Sequence, residues 1–254
     1  MKRAWEHATI ITFLTLAIIL LLYDSANSIN FQIKPVRIFL DAKVKTEKII
    51  IKNLSNEELS LQLKTYKWSQ NPKGEDVYEE TADIIVFPKI FTMKKGEERI
   101  IRIGTNLQPG MDEQLYRLYI EELPITNASP EGAAIHILTK AGVPIFINPV
   151  KAVAKGKIES IIVKKGVIEA AIKNNGNLHF IINSIKIKGQ NIKGKDVFTK
   201  DISGWYLLSG AKRLYTTPIP QKICKDIVKL HIEVNTDKFN LDGKLDVNKA
   251  TCLP

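Results

Sequence analysis

From Phe31 onward the chain is a succession of short runs rich in β-branched and aromatic residues, each closed by a Gly, Asn or Pro turn signal. No segment after residue 28 carries the 3.6-residue apolar period over an ordinary helix length. This patterning predicts an all-β protein built of antiparallel sandwiches. In the first half the expected strands are Phe31 to Leu40, Lys48 to Asn53, Leu59 to Trp68, Ile84 to Phe87 with Ile90 to Met93, Glu98 to Ile103, Gln114 to Leu123, and Ala134 to Ile147. Turn chemistry separates them at Asn53–Asn56, Asn71–Gly74, Lys95–Gly96 and Pro109–Gly110. After Pro149 the pattern restarts, with strands expected at Lys157 to Val163, Val167 to Lys173, His179 to Lys188, Tyr206 to Leu208, Ile227 to Val234 and Lys244 to Val247. The division predicts residues 29–149 as one domain and 150–254 as a second, joined near Asn148 to Lys155.

Ala134 to Pro149 is longer than a strand in a small sheet needs to be. The surplus is available to another chain. Ile135, Ile137 and Thr139 share one face of it, and Ala134, His136 and Leu138 share the other. An open sheet edge of this kind binds an incoming strand through main-chain hydrogen bonds, with alternate side chains filling pockets.

Residues 1–28 differ from the rest. Lys2 and Arg3 precede an apolar run from Ile10 to Leu22, and Ala26, Asn27 and Ser28 bring small residues to the usual cleavage position. That is the pattern of a secretory signal peptide. Read instead as an uncleaved anchor, Ile10 to Tyr23 is shorter than a usual span. Removing 28 of the 254 residues leaves a mature chain of 226, which keeps the full net charge of +10 because Lys2 and Arg3 balance Glu6 and Asp24. The mature product is expected to be soluble outside the cytosol, with no stable membrane insertion.

The only two cysteines, Cys224 and Cys252, both fall late in the chain. In an oxidising compartment such a pair most simply forms one disulfide, and the spacing excludes a CxxC redox or zinc site. Lysines are dispersed rather than gathered into a stripe, and aromatics are few, so no nucleic-acid platform is expected. The net charge fits either a solvated surface or the steering of an acidic partner.

Groups for catalysis are scarce. His136, His179 and His231 stand alone on separate expected strands, and there is no HExxH, GxSxG, GxGxxG or Walker motif. The acid pairs Glu57-Glu58, Glu79-Glu80, Glu97-Glu98 and Glu121-Glu122 are sequence neighbours that point apart and are expected to be solvated. Asn53 and Asn127 match a glycosylation sequon of little weight. No catalytic residue, metal site or cofactor is expected, and the chain is read as not an enzyme.

Several pieces in order, Phe31-Gln-Ile-Lys-Pro-Val-Arg37-Ile-Phe-Leu, Ile49-Ile-Ile-Lys-Asn53, Trp68, Asp83-Ile-Ile-Val-Phe-Pro88, Lys95-Gly96 with Arg99-Ile-Ile-Arg102, Glu113-Gln-Leu-Tyr-Arg117, Glu121-Glu-Leu-Pro124 and Val143-Pro-Ile-Phe-Ile-Asn-Pro149, resemble the PapD-like periplasmic chaperones of chaperone–usher pilus systems, particularly the archaic branch. The second half is similar more loosely, through Asn174-Asn-Gly-Asn177, Gly204-Trp-Tyr206 and the cysteine pair. The resemblance implies two immunoglobulin-like sandwiches set at an angle like a boomerang. It also implies a periplasmic, nucleotide-independent chaperone for pilus or fimbrial subunits.

Such a chaperone completes a subunit's unfinished sandwich with its own strand, by donor-strand complementation, and delivers it to an outer-membrane usher. On that basis Ile135 and Ile137 are the donated side chains and Thr139 a poorer third. Arg37 takes the place of the first basic anchor for the subunit's C-terminal carboxylate. The usual lysine of the second anchor is replaced by Pro144, so Arg117, with Lys140 behind it, is the candidate substitute. Arg102 is expected to pair with an acid within its own domain. Glu113 matches the acid of the family's interdomain contacts, although its usual basic partner is Asn148 here. The alternative is a secreted sandwich protein that assembles into surface fibres through the same edges.

Overall fold

The structure is a computed structural model and describes residues 30–124 and 137–252. In chain order the first half contains β1 (Phe31–Lys34), β2 (Ile38–Leu40), β3 (Thr46–Asn53), β4 (Leu59–Gln70), β5 (Asp76–Glu80), β6 (Ile84–Phe87), β7 (Ile90–Met93), β8 (Glu98–Thr105), β9 (Gln114–Glu122) and β10 (Lys140–Ile147). The second half contains β11 (Gly156–Lys164), β12 (Val167–Asn174), β13 (Phe180–Gln190), β14 (Asp196–Ser203), β15 (Tyr206–Leu207), β16 (Lys212–Pro218), β17 (Lys229–Thr236) and β18 (Asn240–Asp246). No helix among the described residues is long and apolar enough to cross a membrane.

One sheet of the first half runs β1-β3-β8-β6 and the other β2-β10-β9-β4-β5, with β7 also on β4. The second half repeats the plan with β11-β12-β16 facing β14-β13-β17-β18. The chain is thus two immunoglobulin-like β-sandwiches. The inward rows are apolar at every second position, as the two-residue strand period requires: Ile49 and Ile51, Ile101 and Ile103, Leu118 and Ile120 fill the first core. Ile168, Ile172, Phe180, Ile185, Leu230 and Ile232 fill the second. Each such side chain contributes about 1.5–3 kcal/mol by leaving water.

Three corrections to the sequence reading have physical causes. Phe31 to Leu40 is two strands in opposite sheets, because Pro35 cannot donate to a ladder and the chain bends over Pro35–Arg37 before β2 joins β10 in parallel. The strands β5, β14 and β16 were not anticipated; each lies at the edge of its sheet, where charged residues interrupt the apolar rhythm. The expected long strand ending at Ile147 begins only at Lys140, while Ala134, Ile135 and His136 lie outside the described residues, as do residues 1–29.

Asn53 and Asn174 close the corresponding strand ends of the two sandwiches. Asn53 Nδ2 donates to the carbonyls of Glu57, Met93 and Lys94, and Asn174 Nδ2 donates to those of Leu178 and Leu207. Buried with its amide committed to three carbonyls, Asn53 presents no acceptor for a glycan. Cys224 and Cys252 form a disulfide that closes the end of the second sandwich onto the helical turn Gln221–Cys224.

Candidate functional site: an open strand edge and the junction behind it

The side chains of β10 fall into two rows. Ala141, Val143, Ile145 and Ile147 point into the first core, where Val143 is 2 % exposed. By the two-residue alternation Thr139 and Ile137 come next in this row, and Ile137 is 81 % exposed. A row that fills its own core therefore runs past the end of that core with an isoleucine standing in solvent.

The backbone of β10 is paired unequally. Along Lys140–Ile147 it pairs with β9, but on the other side only Ile145–Ile147 pair, with β2. Thr139's carbonyl accepts from Glu122 N–H on the β9 side, and Asn148 N–H donates to Leu40 on the β2 side. Alternation between these points turns the main-chain groups of Leu138, Lys140, Gly142 and Pro144 toward the unpaired side. Pro144 has no N–H to leave unpaired, and an edge is where a proline is tolerated. Among the described residues this stretch has no strand neighbour away from β9.

The opposite row carries Phe146 into a third apolar cluster with Trp68, Tyr206 and Leu208, which joins the two sandwiches. Arg117 lies within it. It sits on β9 directly across from Pro144, and its guanidinium carbon is 4.2 Å from the centre of the Trp68 ring. The side chain lies over β10, where Gly142 makes room: a Cβ there would come within 3.2 Å of Arg117 Cδ. Arg117 is only 7 % exposed, with Nη1 3.5 Å from the Gly142 carbonyl and with Nε and Nη2 buried without a partner. Such a cation is electrostatically incomplete, and the stacking on Trp68 offsets only part of its desolvation. Burial also pushes the neighbouring Tyr78 phenol up, against the opposing pull of Arg117.

Arg37 is exposed in the bend before β2. Its guanidinium carbon lies 6.0 Å from the centre of the Tyr206 ring, the same distance as that of Arg117. The fold thus brings Arg37 and Arg117 to one aromatic residue of the second sandwich. Lys140 is elsewhere: its Nζ is 2.7 Å from Glu121 and 4.3 Å from the Tyr119 ring centre. Lys140's hydrogen bond holds the Glu121 carboxyl below the usual carboxylate range, and the same bond raises the Lys140 ammonium. Arg102, expected to pair with an acid, makes no ion pair among the described residues; it lines a groove of about 640 Å³ with Ile85, Phe87 and Ile100 on the outer face of the first sandwich.

Glu113 does have a junction partner, and it is His179. Its Oε2 accepts from His179 N–H at 2.8 Å and lies 2.7 Å from His179 Nδ1, with both residues buried. The imidazole stacks on Phe146 at 4.0 Å between ring centres. Further bonds cross nearby: Gln70 to the Tyr206 carbonyl, Trp205 Nε1 to Asp76, Asn177 to the Met111 carbonyl, and Glu113 N–H to the Asn177 carbonyl. The expectation that His179 stands alone on a strand face is therefore corrected. Its partner is 66 residues away, at a spacing no motif records. His231 lies on β17 and bridges Asp242 and Glu233. The acid pair Glu121-Glu122 is likewise not simply solvated: Glu121 holds Lys140, and Glu122 accepts from Asn30 and Thr139.

The two joined sandwiches have counterparts among solved structures. A chain of the CsuC–CsuE chaperone–tip adhesion subunit pre-assembly complex, from the archaic chaperone-usher Csu pili of Acinetobacter baumannii, is similar at 18 % identity and a TM-score of 0.58, with 84 % of this chain and 98 % of that one covered. The Salmonella enterica SafA pilin–SafB chaperone complex matches at 13 % identity and a TM-score of 0.54, over 87 % of this chain and 99 % of that one. The class 5 fimbriae chaperone CfaA matches at 16 % and 0.53, over 86 % and 100 %. No curated protein matches the chain by sequence. Residues 30–152 match the family described as pili and flagellar-assembly chaperone, PapD N-terminal domain. The first sandwich is thus a PapD N-terminal domain, and the fold of the chain is that of the pilus chaperones it matches.

Proposed function

We propose that this chain is a periplasmic chaperone that captures pilus subunits by donor-strand complementation and hands them to an outer-membrane usher. The observation that carries the reading is the β10 row: Val143, Ile145 and Ile147 complete the home core, while Thr139 and Ile137 extend the same face beyond it beside an unpaired edge. A subunit lacking its last strand gains main-chain partners from Leu138, Lys140 and Gly142 and an apolar filling from the row. Ile135, next in the row, is included in the donated set, although it lies outside the described residues. We take residues 29–149 and 150–254 as the two domains, a division the separate cores support, and removal of residues 1–28 as what delivers the chain to the periplasm.

In this reading the subunit's C-terminal carboxylate enters the junction and meets Arg37 and Arg117. Loss of the usual lysine at Pro144 is made good from the strand directly opposite, where Arg117 holds nitrogens without partners. In this reading Lys140 is left out of the anchor, because it is engaged by Glu121.

The test is co-expression with a pilus subunit encoded beside this chain. The wild type is expected to yield a soluble one-to-one complex. Ile137→Asp should lose it, since a carboxylate in an apolar groove costs about 3 kcal/mol or more, at least about a hundredfold in affinity. Undiminished yield from Ile137→Asp would count against the reading, and polymerisation of this chain alone would favour a fibre protein.

A further inference from the structure

We infer that Glu122 is a positioning residue that sets the point at which the donated segment leaves its own sandwich; this rests on the donor-strand reading above. At the next pair beyond Lys140–Glu121 the ladder is only half made. Glu122 N–H donates to the Thr139 carbonyl at 2.9 Å, but the return bond is replaced: Thr139 N–H donates to Glu122 Oε2 at 3.1 Å. The side chain has captured the donor that would otherwise continue the β9–β10 ladder. That is where β10 begins.

The carboxylate is itself held. Asn30 Nδ2 donates to Oε2 at 2.9 Å and lies 3.1 Å from Oε1. Asn30 is fixed in turn, because its carbonyl accepts from Leu54 and Ser55 N–H at 2.9 and 3.2 Å. A chain of hydrogen bonds therefore runs from the β3–β4 turn through Asn30 and Glu122 to Thr139. It ends at Thr139, the residue after Leu138, which is the first residue of the described segment whose main chain faces the open edge. Releasing Thr139 would let the start of β10 fray, and the offset between Val143 in the home core and Ile137 outside it would no longer be held.

The test is residue-resolved amide exchange on the free protein, with subunit capture measured in parallel. Glu122→Ala is expected to speed exchange at Thr139 about tenfold, the scale of one lost charge-assisted hydrogen bond, while leaving Leu118 and Val143 unchanged, and to weaken capture. Asn30→Ala should act the same way more mildly. Glu122→Gln, which keeps an accepting oxygen, should restore most of both properties. The inference is overturned by unchanged Thr139 exchange in Glu122→Ala, by an equal rise at Leu118 and Val143, or by full capture in Glu122→Ala when Ile137→Asp has lost it. If Ile137→Asp retains capture while Glu122→Ala frees Thr139 alone, the fixing of the take-off point stands and the donor-strand reading fails.

Discussion

Arg117 on β9 stands directly opposite Pro144 on β10, and its aliphatic stem passes over the space that Gly142 leaves open. A buried cation with unpartnered nitrogens does not stabilise the chain that carries it. It fits a guest that brings an anion.

Stability and capture should therefore separate at this position. Arg117→Met replaces an unpaired buried charge by an apolar side chain of similar length, so the free chain should be as stable or more stable by about 1 kcal/mol in denaturant melts. Capture of a pilus subunit should fall at least about a hundredfold, the scale of a charge-assisted pair lost from a dry site. Loss of stability without loss of capture would mark Arg117 as structural.

The junction should depend on Glu113 and His179. Glu113→Ala removes the partner of both the His179 amide and its ring nitrogen. Burial of those groups unsatisfied predicts a loss of about 2–4 kcal/mol. X-ray scattering should show a wider spread of overall dimensions, and Glu113→Gln, which retains an acceptor, should recover part of both.

How much of this could be read from residues alone follows from where each signal originates. Inner strands such as β3, β8 and β9 are legible because alternate positions must enter a core, and Ile49, Ile101 and Leu118 report that directly. Edge strands β5, β14 and β16 are obscured because their charges serve to discourage foreign pairing. The division of Phe31 to Leu40 depends on Pro35, and the start of β10 on a carboxylate at Glu122, features with no period. Arg117 stands out in the sequence through a loss, the proline at the lysine position, and the structure places it across from that proline. His179 does not stand out, since its role exists only once the two sandwiches meet.

The disulfide should matter to the second sandwich alone. Closing a loop of 28 residues between Cys224 and Cys252 restricts the unfolded chain by about 3–4 kcal/mol on the chain-entropy estimate. Cys224→Ser with Cys252→Ser should lower the unfolding free energy of the second sandwich by a comparable amount. Amide exchange at Ile49 and Ile101 in the first should be unaffected.

Lys140 and Glu121 give a pH dependence of known sign. The folded carboxyl of Glu121 titrates below its unfolded value because Lys140 donates to it, with Lys64 adding to the effect. The pair's contribution is therefore present above the unfolded carboxylate value of about 4.3 and fades as pH falls through the lower folded value. Solvent screening holds it under about 0.5 kcal/mol. Lys140→Met should differ from wild type by that amount at pH 7, converge with it in acid, and leave subunit capture unchanged; a large loss of capture would return Lys140 to the anchor.

Residue-resolved amide exchange along β10, free and in complex with a pilus subunit, tests the central claim most directly. Leu138, Lys140 and Gly142 face an unpaired edge in the free chain and should exchange freely there, then slow by at least about a hundredfold when a subunit strand pairs with them. Unchanged exchange at these three amides in a stoichiometric complex would contradict the account, because the subunit would then be held somewhere other than the open edge.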